Sequence, residues 1–270
     1  MFNQGKHMHH IIDPSATAWR TTRRLLAACS LLAAIAPAGA TMLTFDQQVP
    51  DVLEDGANLL ESGYRLDVLN GPVAAELDLH GIAGAILNPA DPYSCALVSC
   101  PSGDGSKFYA GLNDGGVRLS RADGQAFKLD HLDFAFLTPL PVDDGIYGKL
   151  VLTGMGAGGS SVTLALDLPG QDGYGNFVFA SASLGSFAAA QFSSIAISAC
   201  VFDEDGGCVN SWDQPAFGLA NFAIDNVGVS AVPEPSAWML LLGGLGTVAA
   251  LRRRAGKAGM AKQVNQGEPA

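Results

Sequence analysis

Phe127-Lys128-Leu129-Asp130-His131-Leu132-Asp133-Phe134 sets apolar side chains against polar ones through one short stretch. That pattern is the mark of a strand with one face on a core and one in water. Shorter stretches of the same kind lie on both sides. Tyr64 to Val68 and Val117 to Ser120 come before it. Leu150 to Leu152, Val162 to Leu166, Phe177 to Phe179, Ser194 to Ser198 and Phe222 to Asp225 come after it. Turn-forming residues separate them: Asn113-Asp114-Gly115-Gly116, Asp123-Gly124, Asp143-Asp144-Gly145 and Asp172-Gly173. A helix is suggested in the middle of the chain only at Val52 to Glu61. Many short strands with Gly and Asp turns predict an all-β fold, an antiparallel β-sandwich of the jelly-roll kind.

Composition agrees with this reading. The 270 residues are 48% hydrophobic, enough for a large core, and only 15% charged, with 33 Gly and 14 Pro. Charge is unevenly placed. Thr41 to Pro235 holds 24 Asp and Glu against 6 Lys and Arg, a net of −18, whereas both flanks are basic. An acidic middle repels phosphate backbones, which argues against a nucleic-acid partner.

The basic flanks border apolar runs. Arg20, Arg23 and Arg24 precede Leu25 to Ile35, and Pro37 and Ala38-Gly39-Ala40 follow. A basic segment, a short apolar run and an A-x-A site make residues 1–40 a signal peptide, with cleavage expected after Ala40. The run is too short to span about 30 Å of hydrocarbon. Leu26-Ala27-Ala28-Cys29 imitates a lipidation box, but it follows Arg24 too closely for one. Arg23-Arg24 fits a twin-arginine signal only in part, so general secretion is expected. His7, His9 and His10 would leave with the peptide.

At the other end, Val232-Pro233-Glu234-Pro235-Ser236 leads into the apolar stretch Ala237 to Leu251 and then Arg252-Arg253-Arg254. The stretch is short for a spanning helix but can serve as one if the arginines snorkel to the interface. The basic cluster would stay cytoplasmic, leaving the acidic middle outside. Pro-Glu-Pro, an apolar helix and an Arg cluster, in that order, resemble the PEP-CTERM sorting signal, also known as the ice-binding-protein C-terminal domain. The resemblance implies recognition by an exosortase, a membrane processing enzyme, near Pro233, Glu234 and Pro235. It also implies a setting of exopolysaccharide and biofilm matrix. Separately, Phe127 to Phe134, Gly148 to Gly154 and Phe222-Ala223-Ile224-Asp225-Asn226-Val227 resemble the sandwich domains found before such signals. The expected organisation is a signal peptide (1–40), a sandwich ectodomain (41–231), the sorting signal with a single short transmembrane helix (232–254) and a cytoplasmic tail (255–270). The protein is expected to be inner-membrane-anchored before processing and then at the cell surface or extracellular.

After removal of Cys29, Cys95, Cys100, Cys200 and Cys208 remain, an even set in an exported chain, which reads as disulfides. Three pairings exist. Cys95–Cys100 and Cys200–Cys208 close the shortest loops and are the expected ones. A zinc site is the alternative, set against the tendency of exported thiols to oxidise.

Catalytic signals are weak. Gly154-Met155-Gly156-Ala157-Gly158-Gly159 contains G-x-G-x-x-G but precedes a strand, which makes it a hairpin and not a phosphate loop. His80 and His131 are the only histidines after the signal peptide. With so many acids, a carboxylate pair proves little. No enzymatic activity, cofactor or metal is expected. Asp203-Glu204-Asp205-Gly206 begins like a calcium loop without its full spacing, so Asp203 and Asp205 are ligand candidates for Ca²⁺ only. Trp212, flanked by Asn210, Ser211, Asp213 and Gln214, has the composition of a sugar platform, with Tyr109 and Tyr174 as further candidates. The expected function is a structural or adhesive surface or matrix protein in exopolysaccharide. A carbohydrate-binding module is the alternative, and a secreted hydrolase comes third. Replacing Pro233 and Glu234 with Ala is expected to block C-terminal processing and leave the mass of the full anchor, read by intact-protein mass spectrometry of membrane and medium fractions.

Overall fold

The computed structural model describes residues 39–76, 81–96, 98–103, 105–137, 147–203, 205–209, 219–232, 242–249 and 252. The chain divides into two compact units. One is Ala38–Pro233. The other combines Met1–Pro37 with Glu234–Ala270, and its described part is the helical stretch 242–249 with Arg252. No helix among the described residues is long and apolar enough to cross a membrane. The signal peptide expected over 1–40 lies almost wholly outside the described residues, as does most of 233–270.

The Ala38–Pro233 unit is an antiparallel β-sandwich. In chain order its elements are β1 (Ala40–Leu43), β2 (Asp51–Glu54), β3 (Asn58–Glu61), β4 (Tyr64–Leu69), α1 (Pro72–Glu76), β5 (Ile82–Leu87), β6 (Phe108–Gly111) and β7 (Gly116–Arg121). They continue with β8 (Phe127–Leu137), β9 (Gly148–Met155), β10 (Ser161–Asp167), β11 (Ala180–Ser181), a 3-10 turn (Gly185–Ala189), β12 (Ser194–Phe202), β13 (Cys208–Val209) and β14 (Asn221–Ala231). The first sheet runs β11-β8-β14-β6-β5-β2, with β1 also on β14. The second runs β10-β9-β12-β7-β4-β3, with β13 on β12. The all-β expectation therefore holds.

Two expectations are corrected. Val52 to Glu61 is not a helix but β2 and β3, split between the two sheets. The turn Asp55-Gly56 breaks the segment, with Gly56 at φ +78°. Its amides find strand-like partners on Gly81 and Val68, which a local helix would not offer. Phe177 to Phe179 is not a continuous strand either. It is held by single bridges, Ser102 to Val178 and Gln171 to Phe177, and the strand proper is Ala180–Ser181. The glycine-rich 154–159 segment is the β9–β10 hairpin, as its reading predicts.

The central pair, β8 and β14, carries two irregularities. Its register runs Asp225↔Asp133, then Gly228↔His131, then Val229↔Leu129. On β14 the extra residue follows Asp225, and Asn226 takes φ +48°. That shift changes parity: Phe222 and Ile224 face the core before it, Val227 and Val229 after it. On β8 the extra residue falls at Asp130-His131, so that Phe127 and Leu129, then Leu132, Phe134 and Phe136, all reach the core. The stretch Phe127 to Phe134 is thus a bulged strand, not one strict alternation.

Aromatic rings fill the interior by lying over glycines of neighbouring strands. A methyl added at Gly111 would collide with the Phe222 ring, one at Gly154 with the Phe192 ring, and one at Gly84 would lie 2.5 Å from the Tyr109 hydroxyl. Phe222 and Tyr109 are fully buried. Tyr109 donates to the carbonyl of Gly116 across the sandwich, 3.2 Å, and burial raises its pKa. Gly111→Ala is expected to lower unfolding stability by about 1–3 kcal/mol through overpacking, read by denaturant melts of oxidised protein.

Candidate functional site

The outer face of the first sheet is not simply solvated. A row of alanines crosses it in register, Ala85↔Ala110, Ala110↔Ala223 and Ala223↔Ala135. All four are fully buried. With Leu87, Phe108 and Leu137 they form a second, smaller apolar cluster, onto which Val98, Cys100, Leu112 and Phe179 pack. Small side chains keep this face flat, so the loop joining β5 to β6 can lie on it. The Cys95–Cys100 disulfide clips that loop. Residue 178 bridges Ser102 in parallel sense. Ser102 N–H donates to the Phe177 carbonyl (2.6 Å) and Phe179 N–H to the Ser102 carbonyl (3.4 Å). The β5–β6 loop and the segment before β11 are thereby stitched together.

Between loop and sheet lies a cleft of about 500 Å³, within the range of small-molecule sites. Phe108 and Phe179, edge to face at 5.6 Å, with Val98 supply its apolar lining. Ser99, Ser102 and Ser106 supply hydroxyls, and the disulfide forms part of the wall.

Ser106 connects the cleft to a polar chain along β14 and β8. Its hydroxyl donates to Asp225 Oδ2 at 2.6 Å. Asp225 is 3% exposed and also accepts the amide of Asn226 at 2.7 Å. Asn226 Nδ2 donates to Asp133 Oδ2 at 3.1 Å. Asp133 accepts the Ser181 hydroxyl at 2.6 Å and lies 3.1 Å from His131 Nε2. The bulge makes this chain, because αL geometry at Asn226 places an amide and a side chain beside two carboxylates that face each other in register. Alongside, Lys107 Nζ donates to the carbonyls of Asp46 (2.7 Å) and Gln48 (2.9 Å), tying the start of β6 to the end of β1.

Each of the two stitched loops carries an exposed aromatic. Tyr93, in the disulfide-clipped loop, is 87% exposed, and Tyr174 is 92% exposed. The Tyr174 turn is set by Asp172, whose Oδ1 accepts the amides of Asn176 (2.9 Å) and Tyr174 (2.8 Å). Those amides, Asn176 first, hold the Asp172 carboxyl below its usual range.

The sequence candidates fall unevenly on this geometry. Tyr109 is a core residue and cannot meet a ligand, a correction that follows from its place on the inner face of β6. Tyr174 is available. Trp212, Pro233, Glu234, Pro235, Arg253, Arg254 and His80 lie outside the described residues, and Arg252 is described only as helical. The second disulfide, Cys200–Cys208, joins β12 to β13. Within its loop, Asp203 Oδ1 accepts the amides of Gly207 (2.6 Å) and Asp205 (3.0 Å), so that carboxylate closes its own turn. Among the described residues no group of three or more His, Cys, Asp or Glu is arranged to hold a metal. The clustering of Ser106, Asp133, Asn226 and Ser181 was not anticipated from sequence. The one signal for it was the Asp225-Asn226 pair inside an otherwise apolar strand.

Comparison with known proteins gives one specific match. Residues 231–254 match the PEP-CTERM protein-sorting motif, so the chain carries that signal directly after β14. No curated protein matches the chain. Among solved structures, "Family 16 Carbohydrate Binding Module-2" aligns at 11% identity over 55% of this chain and 86% of that one, with a TM-score of 0.28. TmCBM61, solved with β-1,4-galactotriose, aligns at 11% over 63% of this chain and 90% of its own, TM-score 0.29. The tandem CBM22 domains of Xyn10C from Paenibacillus barcinonensis align at 11% over 74% and 49%, TM-score 0.32. These are loose likenesses, and the fold rests on the strand pairing itself.

Ser106→Ala removes a donor to a buried carboxylate and is expected to cost about 1.5–3 kcal/mol in denaturant unfolding, with both disulfides intact by non-reducing peptide mapping.

Proposed function

We propose that this chain, which carries an exosortase-type sorting signal, is an exported, non-enzymatic surface or matrix protein whose β-sandwich has a structural or adhesive role in an extracellular polymer layer. The observation that carries the reading is the continuity of β14 with the signal. β14 lies inside the first sheet, the amide of Val232 still donates to the carbonyl of Ala126 at 3.2 Å, and the motif begins at residue 231. What the signal sorts is therefore the sandwich itself. A PEP-CTERM signal goes with export, membrane anchoring before processing, and an exosortase as partner. A non-catalytic role is supported by the way Asp133 and Asp225 are tied to Ser181, Asn226 and Ser106, which fixes the bulge.

Carbohydrate binding is the second reading, and the cleft favours it. A sugar ring presents an apolar face and a rim of hydroxyls, and Phe179 with Ser99, Ser102 and Ser106 offers the matching chemistry. Tyr93 and Tyr174 stand free on the two stitched loops to extend such a contact, and Trp212 remains the candidate from sequence.

Co-sedimentation of the exported, oxidised protein with purified exopolysaccharides tests both. Saturable binding is expected, with Tyr93→Ala and Tyr174→Ala each weakening it about fivefold, the equivalent of ~1 kcal/mol per aromatic contact. Loss with Trp212→Ala instead would move the platform to that residue, and loss in chelator would assign a calcium role to Asp203 and Asp205. Absence of binding to every polymer would sink the carbohydrate reading and leave protein partners for the structural one.

A further inference from the structure

A sandwich has open sheet edges, and each is a template for another strand unless something blunts it. In the first sheet, β2 carries Asp51 and Glu54 and a register irregularity at Leu53/Glu54, and β11 is only two residues long. In the second sheet, β3 is four residues long and ends on Glu61. β10 differs from all of these. It is seven residues long, Ser161–Asp167, in unbroken register with β9, without Pro, Lys or Arg. Its one charge, Asp167, is paired with Lys149 on β9.

The hairpin fixes which backbone groups of β10 face outward. Gly156 N–H donates to the Ser160 carbonyl (2.8 Å) at one end, and Leu168 N–H to the Gly148 carbonyl (2.9 Å) at the other. Hydrogen-bonded pairs alternate along an antiparallel ladder. Val162, Leu164 and Leu166 therefore bond to β9, while Ser161, Thr163, Ala165 and Asp167 turn their N–H and C=O groups away from it. Among the described residues no other backbone group bonds to these four.

We infer that β10 pairs with β10 of a second copy of the chain, antiparallel about a two-fold axis at Leu164. In that register Thr163 meets Ala165 of the second copy, and Ser161 meets Asp167. Every outward-facing residue then lies opposite another one, forming about eight backbone hydrogen bonds. The alternate positions, where side chains approach most closely, set Leu164 on Leu164 and Val162 on Leu166. Leu164 and Leu166 are half-buried against the rim of the core, and Val162 on the same face is 43% exposed. Charge is compatible: each Asp167 keeps its own Lys149 and faces a serine, and the two Asp167 residues stand about 20 Å apart along the strands. The strand is thus complementary to itself: in this register each of Val162, Leu164 and Leu166 meets an apolar residue, and no charge meets a like charge, as an isologous pair requires.

The test uses the full chain, exported through its own N-terminal segment and kept in mild detergent at about 0.15 M salt, where surface repulsion is screened beyond about 8 Å. Light scattering is expected to show the protein mass doubling with concentration. Thr163→Pro removes an outward N–H and leaves the β9 ladder whole, as edge strands allow. It is expected to raise the dimer dissociation constant about tenfold or more. Leu164→Cys is expected to cross-link to itself on mild oxidation. Val162→Cys is not, because its own copy lies about 14 Å away, beyond disulfide reach of about 7 Å. A monomer at all concentrations, a dimer indifferent to Thr163→Pro, or equal cross-linking at both cysteines would each overturn the proposal.

Discussion

The pairing of β8 with β14 is the constraint on which the sandwich depends. Both strands are eleven residues long and must present apolar side chains inward from end to end. A strict two-residue period would bring His131 or Asn226 into the core, where an unpartnered polar group costs several kcal/mol. Each strand instead takes up one extra residue at nearly the same level. The two bulges reset parity together and leave Asp130, His131, Asp225 and Asn226 on the outer side. The same step lets β14 exchange neighbours along its other edge, with β6 along Phe222 to Ile224 and β1 along Val227 to Ser230. Ser106 and Lys107, at the start of β6, and Asp46, just past β1, secure that exchange with side-chain bonds.

The candidate site follows from this arrangement. Polar residues displaced outward by the bulges form the chain from Ser106 to Ser181, and the alanine row beside it makes the sheet flat enough to carry a disulfide-clipped loop. The cleft therefore belongs to the joint between sheet and loop, and its lining is shared by residues far apart in sequence, such as Phe108 and Phe179.

β4, β7, β9, β10 and β12 were legible in the sequence by alternation, and so were β8 and β14, although parts of these two are buried on both faces. β5, Ile82–Leu87, was not, because five of its six residues are buried and nothing polar marks its period. β6, Phe108–Gly111, is buried throughout and too short to show one. Val52 to Glu61 misled because two short strands joined by a turn place leucines at spacings that a helix also uses. The disulfides were readable from loop lengths alone. The polar chain was not, since it assembles residues from 106 to 226 through a bulge that only pairing reveals. Tyr109 and Tyr174 show the same limit: identical side chains, one sealed against Gly84 and one fully in water, told apart by which way the strand or turn faces.

β14 also decides how the domain bears load. Whatever grips the sorting motif grips the sandwich by a strand that is bonded along both edges, to β8 at nine positions on one side and to β6 and β1 in succession on the other. A pull along that strand must shear both ladders at once, with their hydrogen bonds loaded in parallel, whereas a terminal edge strand would peel away one bond at a time. The domain is thus held by a strand whose load is shared between two ladders, and β1, paired with β14 from Ala40↔Ser230 to Leu43↔Val227, takes its part of it.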